Sequence, residues 1–223
     1  IRSKVALNIL SPKKGEKILD IGCGNGRDIS YMIDNGAEVI GIDLSQGMIN
    51  EAKRDLKEHG YDNITLEVGD ATSLCYKNAE FDKVLCSEVI EHIPNAENAL
   101  EEIYRILKPK GMLVITTPNW KSWYGFDRYV VWEKIFRKKW NHPYDNWRNM
   151  NELSGITQKQ GFVIQETKGI CYIPGFLISY FLIPNFVKKI LLVLVSYVEP
   201  MLSKIIPEYG YMICIAAIKS EIK

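Results

Sequence analysis

A chain of 223 residues, 47% apolar and 25% charged, is long enough to bury one sizeable core and has the balance of an ordinary globular protein. A formal charge of +1 argues against an overall bias toward nucleic acid or acidic substrates. Five cysteines, at 23, 75, 86, 171 and 214, include no CxxC pair, which excludes a disulfide framework or thiolate zinc site and reads as reduced thiols in a cytosolic protein. The chain opens on Ile1 with no signal-peptide pattern, and the numbering is expected to begin inside a longer native sequence.

Residues 17–21 (KILDI) predict a short apolar strand that runs into a glycine-rich turn and then a helix from about Arg27 to Asn35. A second strand at 38–42 ends at Asp43, and Gln46–His59 read as a helix. Strands follow at 64–68 and 82–86, the latter leading into the turn SEVIEHIP. Residues 96–107 predict a helix with Ala99, Leu100, Ile103, Ile106 and Leu107 on one face, stopped by Pro109 and Gly111 before a strand at 112–116. Alternating strands and helices imply an open parallel α/β sheet with both faces covered. Two further strands, 161–168 and 208–218, are expected to close the sheet in antiparallel fashion. Between them an apolar stretch, 169–187 and then 190–198, predicts a greasy helical hairpin rather than a membrane span, because Pro174, Gly175 and Pro184 interrupt it.

Asp20-Ile21-Gly22-Cys23-Gly24-Asn25-Gly26 carries the strongest chemical signal. Three glycines clear the strand-to-helix turn of side chains, so a ligand can approach the backbone and the helix N-terminus. A GxGxxG dinucleotide turn would place its third glycine at residue 27, which is Arg27. Asp43 ends the second strand, where a carboxylate can accept both ribose hydroxyls of a nucleoside, and Asp70 follows the third, where it can take an adenine amino group. Asp20 is placed to hold the loop or meet a ligand ammonium.

The segments ILDIGCGNG, VIGIDLS, VGDATSL, FDKVLCSEVIEHI and ILKPKGMLVITTPN, in order over residues 17–119, resemble the successive motifs of class I S-adenosylmethionine-dependent methyltransferases. The resemblance implies a Rossmann-like seven-stranded sheet in the order 3-2-1-4-5-7-6, strand 7 antiparallel, with helices on both faces and an α-helical lid. It implies S-adenosyl-L-methionine as cofactor, with Gly22 and Gly24 near its methionine moiety, and Cys23, Asn25, Gly26 and Arg27 completing the loop. It also puts Asp43 on the ribose, Leu44 among the cofactor-binding residues, Asp70 and Ala71 at the adenine, and Cys86 and Ser87 beside the sulfonium. The SEVIEHI stretch is similar to that of ubiquinone-biosynthesis O-methyltransferases and of small-RNA 2′-O-methyltransferases.

Glu88, Glu91 and His92 fall at i, i+3 and i+4, which predicts one face of a single helical turn able to bind a divalent metal or act as general base. Glu88 and His92 are thus the candidate catalytic residues. In the RNA group a further histidine follows a TPN segment, and here Thr117-Pro118-Asn119 precedes His142, the fourth candidate ligand.

All five tryptophans, 120, 123, 132, 140 and 147, cluster after the fifth strand, and 120–148 carries seven Lys or Arg against three Asp or Glu. One domain over 1–223 is expected, with a cofactor half at 17–116 and acceptor-side lid insertions at 117–150 and 170–207. The tryptophans read as lid core, as a lipid-surface belt or as an RNA grip. The neighbouring apolar hairpin favours a small or lipid-like acceptor with peripheral membrane contact and argues against nucleic acid. Residues Ile190, Leu191, Leu194, Val195 and Val198 are equally compatible with core or a dimer seam, which leaves monomer and homodimer open. The alternatives are a metal-assisted RNA 2′-O-methyltransferase and a cofactor-binding protein without catalysis.

Overall fold

The structure is a computed structural model that describes residues 2–137, 145–172 and 185–221. In chain order the elements are α1 Arg2–Leu10, β1 Lys17–Ile21, α2 Arg27–Asp34, β2 Glu38–Asp43, α3 Gln46–Glu58, β3 Thr65–Val68 and β4 Phe81–Ser87. A 3₁₀ turn Ile90–His92, α4 Ala96–Ile106, β5 Leu107–Pro118 and the short α5 Trp123–Phe126, continued as a π-helical stretch Asp127–Ile135, come next. The chain closes with α6 Met150–Lys159, β6 Phe162–Ile170, α7 Asn185–Ile205, a 3₁₀ turn Pro207–Tyr209 and β7 Met212–Lys219.

The strands form one seven-stranded sheet in the order β3-β2-β1-β4-β5-β7-β6. β1 to β5 pair in parallel, and β7 runs antiparallel to both β5 and β6. Sheet and helices make three layers. One core, around Phe81, Leu100, Ile103, Leu113 and Leu153, joins the sheet to α4 and α6. The other, around Leu10, Ile18, Ile29, Ile49 and Leu85, joins it to α1, α2 and α3. α4 shows the cause: Ala96, Ala99, Leu100, Ile103, Tyr104 and Ile106 recur at helical spacing and are all buried.

The boundaries depart from expectation where tertiary contacts override local signals. α4 already ends at Ile106, and Leu107 pairs with Phe81 as the start of β5; pairing then resumes at Lys83 with Met112, so 108–111 form a bulge. The last strand begins at Met212 and not at 208, because Pro207–Tyr209 coil into a 3₁₀ turn. Two helices, α1 and α6, were not expected. α6 carries a capping box in which Asn149 Oδ1 accepts from Glu152 N and a Glu152 oxygen accepts from Asn149 N, a pattern legible in Asn149-x-x-Glu152. Of the expected hairpin, residues 190–198 lie inside α7, whereas 173–184 are outside the described residues. No described helix is long and apolar enough to cross a membrane. The five cysteines are free thiols.

Candidate active site

β1 delivers Asp20 and Ile21 to the carboxyl edge of the sheet, and the chain then turns sharply into α2. Gly22 and Gly26 adopt the left-handed region at φ 68° and 80°. A Cβ at Gly22 would run into the side chain of Val89, and one at Gly26 would come within 2.7 Å of Leu56 Cδ1. The turn is thus kept free of side chains both by backbone conformation and by close packing.

β2 ends in Asp43, whose carboxylate joins two loops. Its Oδ2 accepts from Gly24 N at 3.1 Å, and its Oδ1 accepts from Ser45 N at 2.9 Å. Beside it Leu44 is 74% exposed, and Val68 at the end of β3 is 50% exposed, so two apolar side chains stand open next to the carboxylate. Asp70 Oδ1 accepts from both Thr72 N and Thr72 Oγ1 at 2.8 Å, and Ala71 is buried. Asn25 and Arg27 are exposed, and together with Gly26 they line a groove of about 300 Å³ that runs toward Asp55 and Tyr61.

Asp20 is 3% exposed, and no hydrogen-bond donor reaches its carboxylate among the described residues. Burial, followed by repulsion from Asp28 and Asp43, holds its pKa well above the ordinary 3.8. Burial and the charges of Asp20 and Asp43 likewise push the Cys23 thiol up to about 12. The Cys86 thiol, fully buried at the end of β4, is raised by burial and by Glu91 and Asp20. Both sulfurs therefore stay protonated thiols, and the carboxyl groups of Asp20, Asp28 and Asp43 lie close enough to repel one another. Such a cluster suits a cationic ligand, and the Asp20 carboxyl group, with no donor among the described residues, suits an ammonium. S-adenosylmethionine, with its sulfonium and ammonium, has the charge and the nucleoside that these residues suit.

The turn after β4 differs from expectation. Glu88 has φ 62°, outside the helical region, and the 3₁₀ turn starts only at Ile90, so Glu88, Glu91 and His92 do not share a helical face. Glu91 is 2% exposed and its Oε2 accepts from Thr117 Oγ1 at 3.0 Å. Its backbone oxygen accepts from Asn146 N at 2.9 Å. His92, whose side chain is 46% exposed, has Nε2 4.0 Å from Glu91 Oε1. Ser87 Oγ and Thr116 Oγ1 are 2.8 Å apart, and Thr116 Oγ1 donates to Glu88 Oε1 at 3.5 Å. Among the described residues no three His, Cys, Asp or Glu side chains converge on a metal position. His142 lies outside the described residues.

Sequence reasoning missed the supports of this turn. Thr116, Thr117, Asn119 and Ser122 are fully buried, and Asn119 Nδ2 donates to Glu208 O and Gly210 O at 2.7 and 2.9 Å. Uncharged polar residues at the end of an apolar strand were the available signal. The returning lid segment is pinned by Arg128, whose Nη1 meets Asp145 Oδ2 at 2.7 Å and whose guanidinium lies 4.4 Å from the Trp147 ring. Trp147 packs against Tyr124 and Tyr211 and is 6% exposed, whereas Trp120 and Trp123 are 38% and 41% exposed.

Comparison with known proteins agrees with this geometry. A methyltransferase-domain family model matches residues 12–163. A ubiquinone biosynthesis O-methyltransferase of Bartonella bacilliformis is 35% identical over 169 residues, covering 74% of this chain and 67% of that protein. An S-adenosylmethionine dependent methyltransferase from Mesorhizobium loti superposes with a TM-score of 0.68 at 19% identity, covering 97% of this chain and 96% of that one. The phosphoethanolamine N-methyltransferase 2 of Haemonchus contortus, solved with S-adenosyl-L-methionine, gives a TM-score of 0.66 at 24% identity over 98% of this chain and 52% of its own. The chain belongs to the methyltransferase-domain family. It is a class I S-adenosylmethionine-dependent methyltransferase.

Proposed function

We propose that this methyltransferase acts on an apolar or amphiphilic small-molecule acceptor taken up at an anionic membrane surface. The observation that carries the reading is the outer face of α7. Phe186, Ile190, Leu194, Tyr197, Met201 and Ile205 recur at intervals of three or four residues and are 54–76% exposed. Such a stripe is costly in water and suits the headgroup boundary of a bilayer. The helix sequence holds Lys188, Lys189 and Lys204 against one acid, Glu199, which is buried, so its charge complements anionic headgroups. The helix would lie on the membrane without crossing it.

In this reading the cofactor supplies an activated methyl group, and the chain positions it. Asp43 would hold the ribose with Leu44 beside it, Asp70 with Ala71 would frame the adenine, and Asp20 would face the ammonium. His92, with Glu88 across the turn, takes the acceptor's proton if the acceptor is a hydroxyl, while Glu91 orients the turn.

Co-sedimentation with vesicles of phosphatidylglycerol and of phosphatidylcholine tests the docking surface. Association with the anionic vesicles is expected, weakened about tenfold or more by Ile190→Ser with Tyr197→Ser, with cofactor affinity unchanged. Absence of vesicle binding, or no loss in the double variant, overturns the membrane reading.

A further inference from the structure

Two buried arginines of the lid are treated differently by the fold. Arg128, 4% exposed, is neutralised by Asp145 at 2.7 Å. Arg148, 8% exposed, donates from Nη1 to two neutral carbonyls, Ile90 O at 3.4 Å and Asn146 O at 3.3 Å, and makes no ion pair among the described residues. Burying a guanidinium without a counter-charge is expensive, and a ligand that brings the charge removes that cost.

Arg148 lines a groove of about 600 Å³ between the lid and the N-terminal turns of α4 and α6, walled by Trp120, Tyr129 and Trp147. Two carboxylates also line it. Glu152 is engaged, its Oε2 accepting from Trp120 Nε1 at 2.8 Å and Asn149 N at 2.9 Å, while Glu97 is exposed in the first turn of α4. α4 also begins without a side-chain cap from Asn95, so its N-terminal N–H groups add positive potential at the same groove. The groove adjoins the turn that carries His92, because Asn146 N donates to Glu91 O at 2.9 Å.

We propose that Arg148 is the centre of an anion subsite that takes a carboxylate or phosphate carried on an apolar or aromatic body. Read as an anchor for the acceptor it rests on the methyl-transfer reading above, but the binding itself does not. The guanidinium meets the anion, as Arg does wherever planar oxyanions are recognised, and the three aromatic rings cover the body. The neighbouring Glu97 and Glu152 favour a single negative charge over two.

The test uses the full chain saturated with S-adenosylhomocysteine and titrated with benzoate, phenyl phosphate and benzyl alcohol, followed by tryptophan fluorescence and calorimetry. Benzoate or phenyl phosphate is expected to bind about tenfold or more tighter than benzyl alcohol, and the tighter of the two identifies the anion. Arg148→Gln should erase the preference for the anion, and Arg148→Lys should keep part of it. Glu97→Gln, an exposed change that tests the site without risk to the fold, should tighten anion binding. Equal binding of the three probes, or anion binding untouched by Arg148→Gln and Glu97→Gln, overturns the subsite. Since neither vesicles nor turnover enter the assay, its failure is distinguishable from failure of the proposed function.

Discussion

In the proposed cofactor half, residues 17–116, large apolar side chains such as Phe81, Leu85, Ile90 and Leu100 are sealed from solvent. In the proposed acceptor half, Phe126, Ile135, Phe136, Ile190 and Tyr197 stand at least half exposed. The first half gains roughly 1.5–3 kcal/mol for each large side chain it buries, and the second forgoes that gain. Its aromatics divide the same way: Trp147 is core, held by Arg128, Tyr124 and Tyr211, while Trp120 and Trp123 keep open surface.

Truncation of equivalent residues gives the sharpest break. Phe81→Ala should cost about 3–5 kcal/mol in denaturant unfolding, whereas Ile190→Ser should change stability by no more than about 0.5 kcal/mol. A comparable loss at Ile190 would make α7 part of the core. Next in size is a pair of functional variants. Asp43→Ala should weaken S-adenosylhomocysteine binding by more than about tenfold, roughly 1.4 kcal/mol, in calorimetry. His92→Ala should spare that binding and lower turnover; normal turnover would end its assigned role. The smallest effect concerns Asp20. An acid whose folded pKa is raised binds its proton more tightly in the folded chain, so its burial costs stability as pH rises above about 3.8. Asp20→Asn should therefore raise the Tm of the cofactor-free protein at neutral pH, flatten its dependence on pH and weaken cofactor binding. A lower Tm would mean that the carboxylate stabilises the empty loop.

Most of the cofactor half was legible because its signals are local. Alternating strands and helices, three glycines between β1 and α2, and aspartates at the ends of β2 and β3 are short-range patterns whose geometry follows from backbone sterics. α6 was legible too, through its capping box, yet passed unread. The helical face assigned to Glu88, Glu91 and His92 failed because Glu88 pairs by its N–H with Thr116 O at 2.9 Å, and this ties it to β5 in a left-handed conformation. Spacing alone carries no information about such a partner.

By itself the sequence determined the order of the strands and of α2, α3 and α4, the glycine turn, and the carboxylates at or just after the ends of β1, β2 and β3, since these depend on residues a few positions apart. Only the tertiary structure decided that Asp20 is buried and Arg148 reaches Ile90 across 58 positions, the one without a donor and the other without a counter-charge among the described residues, and that Glu91 supports the turn. Those properties arise when distant segments exclude water from a shared space, and burial of that kind has no period in the chain.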